Sequence, residues 1–122
     1  MLGAFAPLPE VGWFVVAQQP VRVAEALARE HGTPLFAYDR ARFAENARRI
    51  QGAFERAGLP FRLRFALKAN PLPEVLEVFR GLGPPGSPES VGIDACSPRE
   101  VIRALECGWR PDEISFTGTN VS

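Results

Sequence analysis

The stretch Phe61-Arg62-Leu63-Arg64-Phe65-Ala66-Leu67-Lys68-Ala69-Asn70-Pro71 decides how the chain is read. Phe61, Leu63, Phe65 and Leu67 alternate with Arg62, Arg64 and Ala66. A period of two puts the first set on one face of a strand and the second on the other. Pro71 and Pro73 then stop the strand and open a helix, because proline fits a first helical turn. Lys68 therefore stands at the carboxyl end of a strand, the edge at which α/β folds bind ligands. With a largely apolar strand behind it, desolvation would lower the pKa of its amine, and a neutral amine attacks an aldehyde. By spacing alone, the competing reading is an ordinary solvated lysine.

Working outward toward the C-terminus, Pro73 to Leu82 carries Val75, Leu76 and Phe79 at helical spacing. Gly83 to Pro88 is rich in glycine and proline and predicts an exposed loop. Val91 to Ala95 is a short strand. Ser97, Pro98 and Glu100 then suit the cap, the first turn and the third position of a helix whose buried face would be Val101, Ile102 and Leu105. Gly108 closes that helix, and Glu113 to Thr117 is the next strand, with Gly118-Thr119-Asn120 as a turn at its end. Strand, helix, strand, helix, strand argues for parallel pairing through helical crossovers. Three strand ends would then share one edge: Lys68 to Asn70, Asp94 to Ser97, and Thr117 to Asn120.

Toward the N-terminus, Arg40 to Ala57 predicts an amphipathic helix with Phe43, Ala47, Ile50 and Phe54 as its core stripe and Asp39 as its N-cap. Thr33 to Asp39 reads as a strand that begins after a proline. Val21 to His31 predicts a helix with Gly32 as its C-terminal cap. Met1 to Gln19 is rich in proline and glycine, and its apolar run Trp13 to Ala17 is a short strand or an extended arm.

Composition excludes several classes. The chain has 122 residues, 46% hydrophobic and 23% charged, with formal net charge zero. Nothing in that balance points to nucleic acid or an anionic membrane surface. No apolar run approaches the roughly 20 residues that span a bilayer. The N-terminus lacks a basic region ahead of its apolar residues and does not read as a signal peptide. Cys96 and Cys107 are too far apart for a metal-binding pair, and His31 is remote, so no metal is expected and both cysteines read as free thiols in a reducing cytoplasm.

Phe65-Ala66-Leu67-Lys68-Ala69-Asn70 resembles the lysine motif of the fold-type III pyridoxal-phosphate enzymes, and within them the ornithine/diaminopimelate decarboxylase family. Gly32 to Asp39 is similar to the entry strand of diaminopimelate decarboxylases. Asp94-Ala95-Cys96-Ser97-Pro98-Arg99-Glu100 resembles the aspartate–serine–glutamate segment of that branch, and Phe116-Thr117-Gly118-Thr119-Asn120 its next strand end. The resemblance departs in a longer loop from Gly83 to Ser90 and in Val121, where many decarboxylases have lysine.

The resemblance implies an α/β fold: the N-terminal portion of an alanine-racemase-like (β/α)8 TIM barrel, incomplete in this chain. Residues 1–32 would be an arm and helix that join a second β domain, and 33–122 the first strand–helix units of the cofactor-binding barrel. The cofactor implied is pyridoxal 5'-phosphate, held covalently by Lys68, with Asn70, Asp94 and Glu100 lining the site. For Glu100 a capping box, and for Asp94 a helix cap at the strand end, are the competing structural roles. Ser97 reads as a cap and Cys96 as buried filler. The function implied is amino-acid decarboxylation, most like that of diaminopimelate decarboxylase in lysine biosynthesis. The alternatives are an ornithine, arginine or carboxynorspermidine decarboxylase, a racemase or aldolase, or a non-catalytic or inert piece. The implied setting is cytoplasmic, with a small amino-acid substrate and a homodimer for the full-length protein. A whole barrel takes about 250 residues. The length therefore predicts a fragment without a full active site, and open sheet edges predict poor solubility or association.

Overall fold

The computed structural model describes residues 4–8, 13–17 and 21–118. They divide into two compact units, Met1–Tyr38 and Asp39–Ser122.

In the first unit, β1 (Ala4–Leu8) and β2 (Trp13–Ala17) form an antiparallel pair in the register Ala6↔Val15. The apolar run Trp13 to Ala17 is thus a strand, and β1 is an element that sequence reading did not separate from its prolines. Pro7 lies inside β1, as an outer strand allows, since one edge of such a strand makes no ladder bonds. Helix α1 (Val21–His31) has the expected bounds. Gly32 ends it with φ +79° and donates its N–H to Ala28 O at 2.9 Å, a left-handed cap that glycine adopts without a Cβ clash. The expected strand at Thr33 to Asp39 is absent: these residues form no helix or strand, and Phe36 is 88% exposed. A strand exists only where a neighbour takes its backbone hydrogen bonds. Among the described residues the ladders join only β1 to β2 and three strands of the second unit.

The second unit carries the predicted alternation. Helix α2 (Arg40–Arg56) is followed by β3 (Arg64–Ala66), α3 (Pro73–Arg80), β4 (Gly92–Ala95), α4 (Pro98–Glu106) and β5 (Ile114–Phe116). The strands form one parallel sheet in the order β3-β4-β5, with Ala66 beside Asp94 and Asp94 beside Ser115. The strand carrying the arginines is shorter than its alternation suggested. It ends at Ala66, and Leu67–Ala69 form a single 3-10 turn.

Residues two apart on a strand share a face, and so do residues in register on neighbouring strands. Phe65, Ile93 and Ile114 face the helices and join a core with Leu67, Val75, Leu76, Phe79, Ala104 and Trp109. Leu67, Leu76 and Ile93 are fully buried, each contributing about 1.5–3 kcal/mol by removal from water. Phe79 of α3 stacks on Phe65 at 4.3 Å and meets Phe43 of α2 edge-on at 5.8 Å. The opposite face of the sheet carries Arg64, Ala66, Gly92, Asp94 and Ser115.

Two helix faces differ from expectation. On α2 the buried positions are Ala47 and Gln51, with Phe43 packed beside them, while Ile50 and Phe54 are exposed. Gln51 lies on the core side because its amide donates to Glu89 O at 2.8 Å, which satisfies a polar group that hydropathy places outside. On α4 the buried residue is Ala104, flanked by half-buried Val101 and Cys107, while Ile102 and Leu105 are exposed. Spacing of three selects Val101, Ala104 and Cys107, and the small alanine at the centre lets the helix lie close to the sheet. The caps are as read. Asp39 Oδ1 accepts the N–H groups of Ala41 and Arg42 at 2.9 and 3.2 Å. Asp39→Ala is expected to lower stability by about 1 kcal/mol, read as a lower thermal midpoint; an unchanged midpoint would remove the cap from the account.

Candidate cofactor-binding edge

The carboxyl ends of β3, β4 and β5 meet on one edge because the strands are parallel and adjacent. Lys68 occupies the 3-10 turn that follows β3, two residues beyond Ala66, the register partner of Asp94. Its side chain is exposed, so the burial that would have desolvated the amine is not supplied by the described residues. No hydrogen bond or ion pair engages that amine among them. Lys68 is also the sole lysine of the chain, the other thirteen basic side chains counted with it being arginines.

Asn70 is buried, and its Oδ1 accepts the Leu72 N–H at 3.1 Å, which shapes the turn from Lys68 into α3. Asp94 is half-buried inside β4 and caps no helix. Its Oδ1 accepts from Ser115 Oγ at 3.1 Å, and Thr117 Oγ1 lies 3.0 and 3.1 Å from its two carboxylate oxygens. Glu100 has a capping role: its Oε2 accepts the Cys96 N–H at 2.8 Å and its Oε1 the Ser97 hydroxyl at 3.3 Å. Ser97 caps α4 by accepting the Glu100 N–H at 3.3 Å. Cys96 is half-buried at the edge, 3.6 Å from Thr117 Oγ1, rather than filling the core. Thr119 and Asn120, expected on the same edge, lie outside the described residues.

Ser115 is the residue that sequence reading missed here, and Thr117, expected on this edge, was not foreseen as a partner of Asp94. Their signal was the alternation of Ile114 and Phe116 with two hydroxyl residues, one of them in register with Asp94. On the same face but lower, Arg64 donates to Glu113 O at 2.9 Å across Gly92, where a Cβ would stand 2.7 Å from that oxygen. Gly92 is required by this close approach of backbone.

The edge suits a small carbonyl compound that carries both an aldehyde and hydrogen-bond donors. It presents an unengaged primary amine, and on the same edge a carboxylate fixed by hydroxyls. Among the described residues no group of three histidine, cysteine or acidic side chains could hold a metal, and no helix is long and apolar enough to cross a membrane.

This chain belongs to the pyridoxal-dependent decarboxylase family: the statistical profile described as its pyridoxal binding domain matches residues 40–122. The cofactor of that family is a pyridoxal, and the free amine and the held carboxylate fit it. Among individual proteins, the chain is similar to the diaminopimelate decarboxylase of Methanothermobacter thermautotrophicus, 45% identical over 98 residues, 80% of this chain and 21% of that protein. It is similar to the enzyme of the same name from Thermoplasma acidophilum, 33% identical over 98 residues, 80% of this chain and 22% of that protein. It is also similar to Protein TabA of Pseudomonas amygdali pv. tabaci, 34% identical over 98 residues, 80% of this chain and 21% of that protein. The chain thus spans about a fifth of the length of these relatives. No solved structure gives a significant match.

Proposed function

We propose that the protein acts as a pyridoxal 5'-phosphate-dependent amino-acid decarboxylase, most like diaminopimelate decarboxylase of lysine biosynthesis. In this reading residues 33–122 are the first strand–helix units of a (β/α)8 barrel. Residues 1–32 are an arm that joins a second β domain. The full-length protein is a cytoplasmic homodimer that acts on a small amino acid. The observation that carries the reading is the unengaged amine of Lys68 on one strand edge with the Asp94 carboxylate. Support comes also from the relatives' names and from the matched family.

Lys68 would hold the cofactor at the edge through its Nζ, a primary amine able to bond an aldehyde carbon. Bound there, the pyridoxal ring supplies an electron sink for the pair left when a substrate carboxylate departs as carbon dioxide. Asp94 accepts hydrogen bonds from the bound ligand through the lone pairs that Ser115 and Thr117 leave open. Asn70 sets the turn that holds Lys68 at the edge. Glu100 keeps the Asp94-to-Ser97 segment in place through the Cys96 N–H. The Lys68 amine would also serve as the group that holds and returns a proton at the edge.

The test is carbon dioxide release by the full-length protein supplied with pyridoxal 5'-phosphate. Diaminopimelate, ornithine, arginine and carboxynorspermidine would be compared. Release fastest from diaminopimelate is the expected result. Release from another of the four would move the substrate assignment, and racemisation without release would overturn the reaction.

A further inference from the structure

Asp94 carries an unusual set of partners for a carboxylate on a sheet face. Both hydroxyls come from the neighbouring strand segment, Ser115 inside β5 and Thr117 just past its end. Each has a single proton. The Thr117 hydroxyl has Asp94 oxygens at 3.0 and 3.1 Å, and Cys96 Sγ at 3.6 Å on its other side. With its proton given to Asp94, its lone pair is left to the Cys96 thiol. The Ser115 hydroxyl is 3.1 Å from Asp94 Oδ1 and 3.3 Å from Ile93 O. Asp94 Oδ1 therefore has two donors in reach and Oδ2 one. The Thr117 N–H is bound to Ala95 O at 2.9 Å, so the backbone that carries this hydroxyl is itself tied to β4.

We infer that Ser115 and Thr117 are positioning residues that hold the Asp94 carboxylate in one orientation for the ligand bound at Lys68. The inference rests on the Lys68 reading above. A carboxylate on a sheet face swings about two side-chain bonds. Two cross-strand hydroxyls remove that freedom and keep Oδ2 the less engaged oxygen. The Cys96 thiol, behind Thr117, completes the line Cys96 to Thr117 to Asp94. Neither hydroxyl needs to touch the ligand, and their effect passes through Asp94.

The experiment uses the full-length protein. Pyridoxal 5'-phosphate is titrated in, borohydride fixes what is bound, and mass spectrometry reads the label at Lys68. The thermal midpoint of each unloaded variant is read alongside. Thr117→Val keeps the shape and removes the hydroxyl, Thr117→Ser restores it, and Ser115→Ala with Thr117→Val removes both. Asp94→Ala sets the limit of the effect. The double variant is expected to need on the order of tenfold more cofactor for half-maximal label, Thr117→Val alone a few-fold more, with Thr117→Ser near the parent and all thermal midpoints close together. Label on Lys68 that is unchanged in Ser115→Ala/Thr117→Val overturns the inference while leaving the Lys68 reading intact. A midpoint that falls in step with the label reduces the hydroxyls to strand pairing and also overturns it. A parent chain with no label on Lys68 overturns the Lys68 reading itself, and the inference with it.

Discussion

Lys68→Ala is expected to remove covalent capture of pyridoxal 5'-phosphate completely. Lys68 is the single lysine of these 122 residues. After condensation, borohydride delivers hydride to the carbon of the C=N bond and leaves a stable secondary amine. In the parent protein the label should map to Lys68, and in Lys68→Ala none should remain on the strand edge. Lys68→Arg sharpens the result. It keeps the positive charge, but a guanidinium stays protonated at ordinary pH and does not condense with an aldehyde. If charge alone drew the phosphate to the edge, Lys68→Arg would still hold the cofactor noncovalently. Loss of capture in both variants, with unchanged circular dichroism, is the expected outcome. Label retained by Lys68→Ala on any residue of the strand edge would end the assignment. The exposed position makes a folding penalty small, because truncating a solvated side chain removes little buried surface.

Trp109→Ala is expected to be the most damaging change to the fold, at about 3–5 kcal/mol. Trp109 is 4% exposed and lies in the core with Ile93 and Ala104. Its indole N–H donates to Val91 O at 2.9 Å, and its backbone N–H to Ala104 O at 3.0 Å. One residue thus ties the end of α4 to the segment that enters β4. Removing the ring leaves a cavity and an unpaired carbonyl together. Trp109→Phe keeps most of the volume and isolates the hydrogen bond, with an expected cost of about 1–3 kcal/mol. A small domain has about 5–15 kcal/mol in all, so the alanine variant should melt far below the parent or fail to fold. Chemical denaturation of the three proteins would show it. Equal midpoints for parent and Trp109→Ala would mean that the β4 entry is held by other contacts.

The order of elements from Phe61 onward was legible because each carries its own punctuation. Pro73, Pro98 and Pro111 open helical turns, Gly108 closes one, and Ser97 with Glu100 caps α4. Val75, Leu76 and Phe79 were placed correctly because three apolar residues at helical spacing leave one solution. The faces of α2 and α4 were not, because Gln51 is polar and Ala104 small, so hydropathy gave the larger Ile50, Ile102 and Leu105 the core. Thr33 to Asp39 has strand composition and no strand. Local preference proposes extended backbone, but only a neighbouring strand makes it a ladder.

What the sequence alone determined is local: the helix limits and caps, the alternation of strand and helix, and the lysine beside Asn70 and Pro71. These follow from backbone preferences and hydrogen bonds between residues a few positions apart. What only the tertiary structure decided is who meets whom across the strands. Asp94 and Thr117 are 23 positions apart, and Arg64 and Glu113 are 49 apart. Those pairings depend on the register of three parallel strands, which is set by the packing of Phe65, Ile93 and Ile114 against the helices. No spacing within one segment encodes that register, because it arises only when separate segments bury their apolar faces together.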